Sequence, residues 1–111
     1  MNLRVVTPLE VIVDQDIDAL RAEDSTGSFG ILPGHADFIT SLTVSVIRWT
    51  AGKHTTYCAV RRGVLSVEAG NRITVATREA ITGDDLATLD RTVLSRFQEE
   101  YEQERIEHVE S

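Results

Sequence analysis

All seven glycines and both prolines of this 111-residue chain precede residue 84, and the charge balance breaks at nearly the same place. Up to Arg78 the acidic and basic side chains cancel. Beyond it Glu79, Asp84, Asp85, Asp90, Glu99, Glu100, Glu102, Glu104, Glu107 and Glu110 face only Arg91, Arg96 and Arg105, so the formal charge of −7 resides in residues 79–111. Glycine and proline punctuate turns and interrupt helices, so their confinement to one side marks two structural regimes. The boundary falls at Ile81-Thr82-Gly83, which divides the chain into a first region over residues 1–80 and a second over 81–111.

The first region reads as short strands. Leu3-Arg4-Val5-Val6-Thr7, Glu10-Val11-Ile12-Val13-Asp14 and Ile17-Asp18-Ala19-Leu20 are β-branched runs parted by Pro8 and an expected Asp14-Gln15-Asp16 turn. Asp37 to Ser41 and Thr43 to Trp49 follow, with Val44 and Val46 alternating against Thr43, Ser45 and Ile47. Ala51-Gly52-Lys53 is a turn leading into His54 to Arg62. Gly70-Asn71, between Gly63-Val64-Leu65-Ser66-Val67 and Arg72-Ile73-Thr74-Val75-Ala76-Thr77, is a hairpin signal because both residues tolerate positive φ. Many short strands with turns about every ten residues predict an antiparallel sandwich or barrel.

The second region reads as one helix. Leu86, Leu89, Val93, Phe97 and Tyr101 recur at spacings of three and four, and Leu94 widens the stripe. Thr82 is the expected N-cap, with Asp84 and Asp85 in the first turn. Past Tyr101 the stripe thins to Ile106 and Val109, so the last two turns are expected to fray or await a partner.

Composition sets the outer limits. Hydrophobic residues at 41% and charged ones at 26% are ordinary globular values and exclude wholesale disorder. A pI near 4.8 argues against a nucleic-acid or anionic-membrane binder, which needs a basic stripe. Cys58 alone offers no disulfide framework and suggests a reducing compartment. Met1-Asn2-Leu3-Arg4 lacks a signal-peptide run, and apolar runs such as Val11-Ile12-Val13 fall far short of a bilayer span. A soluble, intracellular protein is the expectation.

No catalytic constellation emerges. His35, His54 and His108 lie in unrelated settings without metal-ligand spacing. Asp14, Asp16 and Asp18 mimic the start of a calcium loop, but Ala19 and Ser25 stand where Gly and Glu belong. Cys58 reads as a small core residue, and Arg61-Arg62 as a solvated basic spot. The run Gly27-Ser28-Phe29-Gly30-Ile31-Leu32-Pro33-Gly34-His35 lacks the Lys and Ser/Thr of a phosphate loop. It either tucks Phe29, Ile31 and Leu32 into the body or presents them to a partner.

That run, continued by Ala36, resembles the signature of the epsilon subunit of F-type rotary ATP synthases, a Gly-x-Phe/Leu-Gly-Ile/Val-x-Pro-Gly-His-Ala pattern. Val5-Val6-Thr7-Pro8, Gly63-Val64-Leu65-Ser66-Val67, Arg72-Ile73-Thr74-Val75-Ala76 and Ile81-Thr82-Gly83-Asp84-Asp85-Leu86 match in order and approximate spacing, over about residues 3–90. The resemblance implies a ten-stranded antiparallel β-sandwich at the foot of a central stalk, followed by a helical part. It implies binding to the gamma subunit and the membrane rotor ring, coupling of ion flow to rotation, and catalysis left to other subunits. By position, Gly27, Ser28, Phe29 and Gly30 would approach the rotor ring. Ile31, Leu32, Pro33, Gly34, His35, Phe38 and Leu42 would approach gamma. The expected location is peripheral, on the cytoplasmic face of the bacterial inner membrane, with no cofactor, metal, nucleic acid or inserted lipid contact.

The chain also departs from that family. Relatives end in a two-helix hairpin, whereas one helix fits here. Some bind ATP through Ile/Leu-Asp-x-x-Arg-Ala at the helix start; Ala87 and Asp90 stand here where Asp and Arg belong, so no ATP site is expected. The tail is acidic where an inhibitory arm is often basic. Short, divergent chains of this kind resemble those of the alternative, sodium-type bacterial group. Two other classes stay in view: a small sandwich enzyme, for which no polar cluster can be named, and a free-standing protein-binding adaptor.

Overall fold

Period-two alternation of apolar and polar residues makes each strand one-sided, and pairing two such sheets face to face hides both apolar sides. The chain, described by a computed structural model over residues 1–110 apart from the side chains at 88, 90–92 and 106–110, does this with ten strands. The expectations for Asp90, Arg91, Ile106, His108 and Val109 lie outside the described side chains. The strands are β1 (Asn2–Val6), β2 (Val11–Asp16), β3 (Ala19–Asp24), β4 (Gly27–Ile31), β5 (Phe38–Leu42), β6 (Ser45–Ala51), β7 (His54–Val60), β8 (Gly63–Glu68), β9 (Arg72–Thr77) and β10 (Ala80–Gly83).

Strand order runs β10-β7-β6-β3-β5-β8-β9-β1-β2, with β4 on the other edge of β3. Two layers result, β4-β3-β6-β7-β10 and β5-β8-β9-β1-β2. They are joined where β3, after pairing Ala19 to Arg21 with β6, meets Leu42 of β5 through Asp24. Every pairing is antiparallel except β1 with β9. Between the layers lie Leu3, Val5, Leu20, Ile31, Leu42, Ile47, Trp49, Cys58, Leu65, Val67, Ile73 and Val75, all buried.

Local readings shift at several places. No turn forms at Asp14-Gln15-Asp16, because β2 stays paired with β1 as far as Asp16 opposite Asn2. The chain turns instead at Ile17 and Asp18, whose N–H groups donate to Met1 O and Thr50 O at 2.7 Å each. In the β8–β9 turn the positive φ angles fall on Ala69 (57°) and Gly70 (69°), one residue earlier than Gly70-Asn71. Gly27 to Ile31, read as a loop, is strand β4, since its apolar Phe29 and Ile31 alternate with Ser28 and Gly30 against β3.

A helix supplies a third layer. It comprises α1 (Leu86–Thr88), a π-wound stretch Leu89–Leu94 and α2 (Ser95–Glu110). Its N-cap is Asp85, whose Oδ1 accepts the Ala87 N–H at 3.0 Å; Thr82, the expected cap, is still paired with Cys58 inside β10. Leu89 and Phe97 are buried against Ala59, with Val44, Val46, Tyr57, Ile81, Val93 and Leu94 around them. In an unbroken α-helix Leu89 and Phe97 would lie roughly 80° apart in azimuth, at 3.6 residues per turn. The looser π winding, with i→i+5 bonds, reduces that offset and lets both face the sheet. This layer explains β6: Ser45, Ile47 and Trp49 point inward, while Val44 and Val46 face the helix.

Candidate docking surface

The glycine-rich run and its continuation, residues 27–42, form one end of the sandwich. At the β3–β4 turn, Asp24 organises the geometry. Its Oδ1 accepts the Thr26 N–H at 2.8 Å, and its Oδ2 accepts the Thr40 hydroxyl of β5 at 2.8 Å. Hydrogen bonds from the Thr26 side chain first, then Thr40 and the Thr26 backbone, hold the Asp24 carboxyl below its ordinary 3.8. A lowered folded value means a contribution fully present above 3.8 and lost as pH falls through the lowered value. Asp24→Asn is therefore expected to weaken the chain near neutral pH but to change it less in acid. Denaturant midpoints measured from pH 7 down to pH 2 check this.

The Leu32-Pro33-Gly34-His35 turn is pinned to the β8–β9 turn. The Gly34 N–H donates to Gly70 O at 2.8 Å, and the Ala69 N–H to Asp37 Oδ1 at 3.0 Å. Gly34 adopts φ 88°, and a Cβ on Gly70 would lie 3.1 Å from Gly34 Cα, so both positions call for glycine. Past the turn, His35 Nδ1 lies 2.7 Å from Ala36 O, a donor geometry for Nδ1–H. Its ring meets Phe38 edge-on at 5.7 Å, and Phe38 meets Phe29 edge-on at 5.5 Å.

The residues singled out from the sequence therefore divide. Ile31 and Leu42 are buried in the core, and Phe29 and Phe38 pack against its rim. Gly27, Ser28, Gly30, Pro33 and Gly34 are exposed, and Leu32 is 63% exposed. The run thus both tucks in and presents apolar residues. Sequence reasoning did not single out Ile39, the second residue of β5, which is 72% exposed. Register puts Ile39 and Ser41 on the same outer face as Val64 and Ser66 of β8 and Thr74 and Ala76 of β9. These six carry no charge, Arg4, Glu68 and Arg72 border them on the same face, and the helix covers the opposite layer. Only the pairing order makes these positions neighbours.

Elsewhere the chemistry is structural. Burial pushes the Cys58 thiol up to about 12, which leaves it a thiol at neutral pH. Asp14 Oδ1 accepts a hydrogen bond from the Asn2 side-chain amide at 3.2 Å, and Asp18 Oδ2 accepts the Gly52 N–H at 2.7 Å. Among the described residues no group of three or more His, Cys, Asp or Glu is placed to hold a metal, and no helix is long and apolar enough to cross a membrane. Arg61 and Arg62, read as solvated, instead engage the helix: Arg61 pairs with Glu100 and Glu104, and Arg62 lies 4.4 Å from the Tyr101 ring centroid.

A two-layer β-sandwich is the class that the family model "ATP synthase, Delta/Epsilon chain, beta-sandwich domain" describes, and that model matches residues 1–83. ATP synthase epsilon chain 2 of Paraburkholderia xenovorans is 48% identical over 95 residues, 84% of this chain and 68% of that protein. ATP synthase epsilon chain 2 of Cereibacter sphaeroides is 43% identical over 94 residues, 81% of this chain and 63% of that one. The chain belongs to the ATP synthase epsilon-chain family. In a solved structure of the Euglena gracilis mitochondrial ATP synthase, comprising OSCP, F1 and c-ring, one chain superposes with a TM-score of 0.68 at 20% identity, over 80% of this chain and 58% of that chain, which supports the fold. This chain thus matches somewhat under two thirds of the length of the second relative and of that solved chain.

Proposed function

We propose that this epsilon chain is a non-catalytic rotor subunit that seats on the gamma subunit and on the membrane rotor ring, passing ion-driven rotation between them. The observation that carries the proposal is the uncharged strip of Ile39, Ser41, Val64, Ser66, Thr74 and Ala76 on the open outer layer, bordered by Arg4, Glu68 and Arg72 and set against an opposite layer already covered by the helix. An exposed Ile in a charge-free patch suits a lasting protein interface. Gamma meets that face and the adjoining Leu32, Pro33, Gly34, His35 and Phe38, while Ile31 and Leu42 hold the surface from beneath. The rotor ring meets Gly27, Ser28, Phe29 and Gly30 at β4. This places the chain peripherally on the cytoplasmic face of a bacterial inner membrane.

Ile39→Asp tests the gamma contact without disturbing the core. It is expected to weaken binding to purified gamma at least about tenfold, in the range of an interface hot spot, with an unchanged denaturation midpoint. Unchanged affinity would remove gamma from this face. Absence of any binding by the parent chain would favour a free-standing adaptor. A crosslinker placed at Ser28→Cys is expected to capture the ring.

A further inference from the structure

The helix meets the sandwich through two chemistries. Leu89 and Phe97 fill the apolar seat beside Ala59, whereas farther along the contact is ionic. Arg61, in the β7–β8 turn, is only 18% exposed at its side chain and points Nη1 at Glu100 Oε2 and Glu104 Oε1, each 2.9 Å away. Its Nε finds no partner among the described residues, so its charge rests on these two carboxylates. Arg78 adds a second cation 3.8 Å from Glu104, and Arg96 reaches back from the helix to Glu79 at 2.8 Å.

We propose that Arg61 is a positioning residue that locks the acidic helix onto the sandwich in a single register, with Glu100 and Glu104 as a two-pronged latch. Residues four apart share a helix face, so one guanidinium reads both together. The neighbouring pairs of that spacing cannot substitute. Gln98 with Glu102 and Glu99 with Gln103 each offer one carboxylate and one amide, and Tyr101 with Arg105 offers a phenol and a cation. A slip of one residue in either direction therefore costs Arg61 at least one carboxylate. A largely buried guanidinium tolerates that poorly, because it is left charged with little water in return. The apolar seat supplies adhesion, and the latch selects the register.

The test places a thiol beneath the helix in the full chain. Val46→Cys lies in the covered strip, and buried Cys58 reports separately on the sandwich. Labelling of each cysteine is followed by peptide mass. Arg61→Glu, and independently Glu100→Gln with Glu104→Gln, are expected to speed labelling at Val46→Cys roughly tenfold or more, with Cys58 still protected. Adding Glu100→Arg to Arg61→Glu is expected to slow it again. If the double glutamine variant labels no faster than the parent, the latch does not hold the helix and the proposal falls. If charge exchange fails to restore protection, Arg61 acts by bulk alone and the positioning role falls. The glutamine changes are on half-exposed helix positions, so loss of the sandwich cannot obscure the result.

Discussion

Phe97→Ala is expected to lower stability by about 3–5 kcal/mol, the range for truncating a fully buried aromatic. Phe97 is 0% exposed and is the largest fully buried side chain at the junction of helix and sheet. Beneath it Ala59 leaves no larger group to collapse into the space, and Val44, Val46, Ile81 and Val93 lose a common neighbour. The Arg96 guanidinium, 5.0 Å from its ring centroid, loses a partner as well. Urea denaturation gives the size of the loss, and hydrogen exchange gives its place: faster exchange is expected at β10 and the helix, with β8 and β9 protected. A loss under about 1 kcal/mol would mean that the helix adds little to the folded state.

Gly63→Ala is expected to be costlier than an ordinary surface substitution by about 3 kcal/mol, at the upper end for overpacking. A Cβ built on Gly63 would sit 2.3 Å from Ala76 O and 3.1 Å from Ala76 C and Thr77 Cα, all of them backbone. No side chain can swing aside to relieve this. Gly63 begins β8 opposite Thr77, whose hydroxyl donates to Arg62 O, so the adjustment would disturb the ladder and the turn that carries Arg61 and Arg62. For a domain of this size such a change lowers the melting temperature by more than 10 °C. A calorimetric shift below about 3 °C would show that the β8–β9 ladder yields easily.

Eight of the ten strands, the hairpins at Gly52 and Gly70, and the helix stripe were legible because period and punctuation are local properties; the count of ten came from the family resemblance. What was not legible depended on partners distant in sequence. Gly27 to Ile31 looks like a loop by composition and becomes a strand only because β3 lies beside it. Asp16 extends β2 because Asn2 is across from it, overriding an acidic cluster that on its own prefers a turn. Asp85 displaces Thr82 as cap because the sheet claims Thr82 first. Arg61 looked solvated because nothing nearby in the sequence is its counterion; Glu100 and Glu104 arrive from about forty residues on. The Gly-Ile-Leu-Pro-Gly-His run singled out the residues proposed for docking, and the structure separates those that face outward from Ile31 and Leu42, which serve the core. Ile39 had no motif to announce it.

One consequence of the strand order concerns stiffness. Because β3 hands its edge from β6 to β5, backbone hydrogen bonds run unbroken from β10 to β2 through both layers. A push on Ile39 or Ser41 travels along amide ladders around the whole girth of the molecule, instead of shearing two slabs held by greasy contact alone. A wrapped belt of this kind is expected to resist twist with little give, a quality that would suit the rotor role proposed above.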